Sequence, residues 1–201
     1  PAGGSLLANL ILAPSLLERI NQGREVGYII IFVGFFGVVI ALWKLYQLYM
    51  MGRAVKAQSS AKKPNANNPL GRVMKVGNDN LEKDIETLEL KLAEAIMSER
   101  PAIERGINVV KIISVVAPLA GLLGTVTGMI VTFQQITLFG TGDPKIMAGG
   151  ISQALVTTVL GLVVAIPTTL LHSFANSSAR GIINVLEEQS TGIVADHSEN
   201  R

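Results

Sequence analysis

Two stretches without a single Asp, Glu, Lys or Arg, 112–142 and 146–179, hold the side chains through which this chain could act. Their polar side chains are hydroxyls and carboxamides, among them Thr125 in the first stretch and Gln153, Thr157 and Thr158 in the second. Such groups can donate and accept hydrogen bonds and support a chain of water, but none of them titrates near neutral pH. The titratable side chain within these stretches is His172. Counted from Met147 it falls about 25 residues in, at or beyond the far headgroup layer for a rise of 1.5 Å per residue. An interfacial place for it outweighs a proton-relay role. No nucleophile–base pair and no metal-ligand cluster is visible, so neither an enzyme nor a metal or cofactor protein is expected. Cysteine is absent, which removes thiol chemistry.

The elements that carry these residues must be membrane helices, since roughly 20 apolar residues suffice to cross a bilayer. Neither stretch is uniformly greasy. Pro118, Gly121, Thr125, Gly128 and Thr132 recur at helical spacing in the first, and Gly150, Ala154, Thr157, Gly161, Ala165 and Thr168 in the second. Each helix thus has one face of small and hydroxyl side chains. The hydrophobic effect does not drive helices together in lipid, so association relies on close approach over small residues and on interhelical hydrogen bonds. These faces either pack against protein or line a path. A membrane threonine also has a simpler use, bonding back to the carbonyl one turn earlier.

The rest of the chain fits a membrane protein. It has 201 residues, 49% of them hydrophobic and 16% charged, with a mean hydropathy of +0.44. A net charge of +2 gives no reason to expect a nucleic-acid partner. The first residue is Pro1, which points to a processed or incomplete chain. Residues 5–22 read as a short amphipathic segment at the membrane interface or as the tail of an upstream domain. The first spanning helix follows, with Tyr28 at one end and Trp43, Tyr46 and Tyr49 at the other as an aromatic belt, and Lys44 is expected to snorkel to the headgroups. Most of this helix is bulky and lipid-facing, with Gly34 and Gly37 as a packing face. Lys44, Arg53, Lys56, Lys62, Lys63, Arg72 and Lys75 all precede the next acid, Asp79, and set a cytoplasmic side by the positive-inside rule. Residues 59–80, rich in Lys, Pro, Asn and Gly, read as an irregular connection. Leu81, Ile85, Leu88 and Leu92 then form one apolar helical stripe, and Pro101 is expected to open the following helix. Past Gln189 the polar tail is expected to fray.

The order expected is a periplasmic or interfacial segment 1–25, a membrane helix 26–51, a cytoplasmic helical region 52–111, membrane helices 112–138 and 146–174 joined by a periplasmic loop 139–145, and a cytoplasmic C-terminal helix and tail 175–201. The fold class is all-α, an integral membrane protein with three transmembrane helices and long cytoplasmic extensions.

APLAGLLGTVTGMIVTF at 117–133, followed by GGISQALVTTVLGLVVAIP at 149–167, resembles the two signature membrane helices of the ExbB/TolQ/MotA proton-channel family. The likeness is strongest to the ExbB branch, and within it to the larger ExbB-like, TtpC-type subunits of some TonB systems. It implies a homo-oligomeric, pentameric bundle around an ExbD-type partner, a single helix whose membrane aspartate carries the proton. It further implies a motor subunit that uses proton-motive force to drive a TonB-type protein in outer-membrane transport, located in the bacterial inner membrane with the N-terminus periplasmic and the C-terminus cytoplasmic. Thr125 and Thr158 match the hydroxyl positions of the family's inner pore, and with Gln153 and Thr157 they make up the expected proton path. At position 153 the ExbB branch usually has glutamate, so this chain departs from it there. Gly121, Gly124, Gly128, Gly150 and Gly161 are expected to pack helices, and Pro118 and Pro167 to kink them. Rival readings are a TolQ- or MotA-like stator for envelope integrity or motility, and a non-conducting membrane scaffold.

Overall fold

The computed structural model describes residues 21–61, 63–140 and 144–199. Most of the expected interfacial segment and the middle of the 139–145 loop lie outside these residues. The described chain is helical: α1 (Arg24–Ser59), α2 (Pro69–Asn78), α3 (Ile85–Glu104), α4 (Ile107–Phe139) and α5 (Pro144–Glu199). Three of them, α1, α4 and α5, are long and apolar enough to cross a membrane, as the sequence predicts. Pro118 and Pro167 lie inside unbroken helices. The described residues fall into two compact units, one made of those within 1–38 and 112–169, the other of those within 39–111 and 170–201.

In the first unit α4 and α5 form an antiparallel hairpin, and α1 lies against one side of it. Gly34 of α1 meets the side chain of Val164, and Gly37 meets Ile113 and Thr168. Large apolar side chains such as Phe32, Phe35, Leu119, Leu122 and Ile166 point away from these contacts. That surface is tolerable only where lipid or other protein covers it.

The second unit has a conventional aliphatic core. Leu48 and Val55 of α1, Leu70 and Val73 of α2, Leu88 and Leu92 of α3, and Ala175, Ala179, Ile182 and Leu186 of α5 are buried together. Much of the 59–80 region, expected to be irregular, is the helix α2. Asn68 caps it, its Oδ1 accepting from Gly71 N at 2.7 Å, and Pro69 takes the first turn, where a missing N–H costs nothing. A side chain at Gly71 would collide with the Asn65 carbonyl. Gln58 organises the approach to α2: its Nε2 donates to the carbonyls of Ala61 and Lys63, and its Oε1 accepts from Asn65 N and Asn68 Nδ2. Arg72 clasps the Glu99 carboxylate through Nε and Nη2 at 2.6 and 2.7 Å, joining α2 to α3; the hydrogen bond to Glu99 pushes its guanidinium further toward the charged form.

Three further expectations are corrected. Pro101 does not open a helix but lies in the last part of α3, and the break comes at Arg105–Gly106, where Gly106 has φ +86°. A left-handed conformation is cheap only for glycine. Leu81 precedes α3 and is exposed, so the buried stripe is carried by Leu88 and Leu92. The C-terminal segment does not fray after Gln189, because α5 continues to Glu199 while Leu186 and Ser190 remain buried. Lys44 also differs from expectation: it does not snorkel but is 4% exposed, donating from Nζ to Gln47 Oε1 at 3.2 Å and to the carbonyl of Ala102 at 3.3 Å. Ala102 belongs to the last turn of α3, whose carbonyls lack intrahelical partners, and a lysine from another helix supplies the missing donor.

Candidate functional site

The site lies in the hairpin of the first unit, and its geometry follows from the absence of side chains where α4 and α5 touch. A Cβ on Gly121 would come within 2.9 Å of the Thr157 carbonyl and 3.2 Å of Thr158 Cα, and one on Gly161 within 2.8 Å of the Ala117 carbonyl. Gly128 approaches the Gly150 carbonyl and Ala154, Gly124 faces the side chain of Thr157, and Gly150 faces that of Thr132. All five glycines assigned to packing therefore stand between the two helices of one chain.

The residues expected on a proton path do not share one surface. Thr157 is wholly buried in the helix contact, its hydroxyl donating back to the carbonyls of Gln153 and Ala154 at 3.2 and 2.9 Å. At about 100° per residue, Thr125 and Thr158 each stand about 60–70° round from the contact line. In an antiparallel pair those rotations lead to the same side of the hairpin. Ile113 and Val164, which touch α1, are displaced about 50–60° the other way, and Gln153 about 70° the same way as they are. Thr125 and Thr158 thus lie together on the side away from α1, and Gln153 lies on the α1 side.

Both threonines are partly exposed. Thr125 Oγ1 donates to the Leu122 carbonyl at 2.6 Å, a firm local bond that leaves its lone pairs free to accept. Thr158 Oγ1 stands 3.4 Å from the Ala154 carbonyl, which already accepts from Thr157 at 2.9 Å. Its hydroxyl is the less committed of the two and the better placed to donate outward.

His172 is in the second unit. It lines a cavity of about 750 Å³ with Arg100, Glu104, Lys111, Arg180 and Glu187. A surrounding of charged side chains beginning at Lys111, just before the apolar stretch of α4, fits an interfacial histidine. No cluster of three or more His, Cys, Asp or Glu suited to a metal occurs among the described residues. Sequence reasoning did not single out Gln22, Gln135 and Ser152, which line a cavity together with Gln153; they are scattered polar residues with no shared spacing, so no periodic signal marks them.

Comparison with known proteins matches this architecture. The model of the MotA/TolQ/ExbB proton channel family covers residues 65–188. A biopolymer transport protein ExbB homolog of Methanothermobacter thermautotrophicus is 30% identical over 193 residues, covering 86% of this chain and 67% of the relative. ExbB of Aquifex aeolicus is 48% identical over 58 residues, 29% of this chain and 39% of its own length. ExbB of Helicobacter pylori is 36% identical over 86 residues, 43% of this chain and 59% of its own. The matches thus span from about two fifths to two thirds of these relatives. The threonine-bearing hairpin of small-faced helices lies within the matched region, and this membrane protein belongs to the MotA/TolQ/ExbB proton channel family.

Proposed function

We propose that this chain is an ExbB-type motor subunit, a non-enzymatic guide for protons in an inner-membrane complex that energises TonB-dependent outer-membrane transport. The observation that carries this reading is the hairpin side holding Thr125 and Thr158: hydroxyls at membrane depth, no acid of its own, and no coverage by α1. An ion at membrane depth costs several kcal/mol unless it is paired or hydrated. A surface that offers hydroxyls and small residues, but no charge, suits a neutralisable carboxylate brought by another helix. That helix is the single membrane segment of an ExbD-type partner, and five copies of this chain around it would form an oriented, low-dielectric cage. The names of the relatives, biopolymer transport proteins, support this assignment of the transport role.

The test is proton flux in proteoliposomes carrying this chain alone and together with its partner. Flux that appears only when both are present and vanishes when the partner's membrane aspartate becomes asparagine is the expected result. A complex that forms but never conducts would leave a scaffold, not a channel.

The basic run of α1 and the following segment, from Arg53 to Lys75, supports a cytoplasmic location for α2 and α3. A reporter fused at Ala61 should be cytoplasmic, and one at Gly140 periplasmic. Both reporters on the same side of the membrane would contradict this topology.

A further inference from the structure

Position 153 has surroundings of its own. A cavity of about 370 Å³ opens on the α1 side of the hairpin, lined among others by Gln22, Arg24, Thr132, Gln135, Ser152 and Gln153. Its described lining contains no carboxylate. Two of its hydroxyls are already engaged: Ser152 donates to Gln22 Oε1 at 3.2 Å, and Thr132 to the Gly128 carbonyl at 3.0 Å. Gln153 is different. The residue is 9% exposed, yet its carboxamide has no hydrogen-bond partner among the described residues. Among the described residues, the fully enclosed polar side-chain atom without a partner is Ser190 Oγ. Gln153 itself lines the cavity.

An amide presents two donors and two acceptor lone pairs, and Gln153 lies about 14 Å along α5 from Pro144. At such a depth lipid can satisfy none of these groups. Water occupies a buried site when the site is roomy and offers several polar partners. This cavity meets both conditions: it is more than about ten times the volume of one liquid water, roughly 30 Å³, and it is walled by amides and hydroxyls.

We infer that the cavity is a water inlet that brings solvent to the Gln153 amide. Its ligand is water. It lies on the opposite side of the hairpin from Thr125 and Thr158, so solvent reaches the depth of position 153 without passing those threonines. The Arg24 guanidinium in its wall disfavours metal cations, which leaves water as the occupant. A use of this water in proton supply rests on the proposed function; the hydration itself does not.

The absence of native cysteine makes the inlet directly testable. Gln153→Cys and Val126→Cys are introduced singly and the purified complex is placed in lipid nanodiscs, where both membrane faces are open to a charged, membrane-impermeant thiol reagent. Val126 lies at a similar depth on the far side of α4 and is 51% exposed on the isolated chain, so it would face lipid or protein without an inlet. Cysteine reactivity follows access and thiolate formation, so Gln153→Cys should react at least about ten-fold faster than Val126→Cys. Adding Gly149→Leu, at a wall position where a new side chain meets open space, should slow that reaction. Should Gln153→Cys fail to assemble, Ser152→Cys, a near-isosteric change in the same wall, is read against Val126→Cys instead. A cysteine at these wall positions that reacts only after denaturation, equal rates in the cavity and at Val126, or a rate indifferent to Gly149→Leu would each overturn the inlet. Because labelling reads water and not transport, a dry cavity in a conducting complex and a wet one in a silent complex are told apart.

Discussion

Gly161→Leu is expected to abolish the folded hairpin and with it the assembled complex. The nearest atoms to a Cβ at Gly161 are the Ala117 carbonyl at 2.8 Å and the Cα and N of Gly121 at 3.2 and 3.4 Å. All three are backbone, so no rotamer change can make room, and a leucine would force α4 and α5 apart along their whole contact. Overpacking of this kind costs about 1–3 kcal/mol or more. Here it also removes the dispersion contacts that stand in for the hydrophobic effect in lipid. Gly161→Ala should already be destabilising. Gly181→Leu, on the same helix where an added Cβ meets nothing within 4 Å, should be nearly neutral. The measurement is the thermal stability and size-exclusion profile of the purified complex. A wild-type melting temperature and mass for Gly161→Leu would mean that the helices do not meet there.

Replacing Thr125 and Thr158 together by valine is expected to cut partner-dependent proton flux by about a hundred-fold while leaving the complex assembled. Valine keeps the shape and removes the hydroxyl. A hydrogen bond to a charged group contributes about 1.5–3 kcal/mol, or roughly ten-fold or more per site in a rate that depends on stabilising a transient carboxylate. Both hydroxyls lie on the side that α1 leaves open, and neither is buried within the helix contact. Thr158→Val alone should have the larger single effect, because its bond to Ala154 is long at 3.4 Å and its hydroxyl is free to turn outward. Thr157→Val is the informative contrast. Thr157 is enclosed between the helices and bonded back to its own helix, so its replacement should leave the intrinsic flux of assembled complexes intact. Full flux in the Thr125–Thr158 double variant would show that these hydroxyls only pack and that protons take another route.

Residue order alone was enough to establish the spanning helices, because charge-free runs of this length have few other stable environments than lipid. The small faces of α4 and α5 were legible for a related reason: glycine, alanine and threonine at helical spacing are the means by which helices approach closely where no hydrophobic force acts. What periodicity could not say is which partner each face meets. That Gly121 and Gly161 oppose each other within one chain depends on the register of the hairpin, which no local pattern encodes. The separation of Gln153 from Thr158 has the same origin. They are five residues apart on one helix, and only the position of α1, set by Gly34 on Val164 and Gly37 on Ile113, decides that one faces α1 and the other faces away. Lys44 could be read as a membrane-edge cation from its neighbours in sequence, but its burial comes from a carbonyl at Ala102, 58 residues away, that needs a donor. In the 59–80 segment the helix signal was present in Asn68–Pro69, a cap followed by a first-turn proline, and the surrounding Asn, Gly and Lys obscured it. The composition of that segment describes an irregular chain; the Gln58 amide, bonded to Lys63 and Asn68, and the local Asn68 cap make it an ordered one.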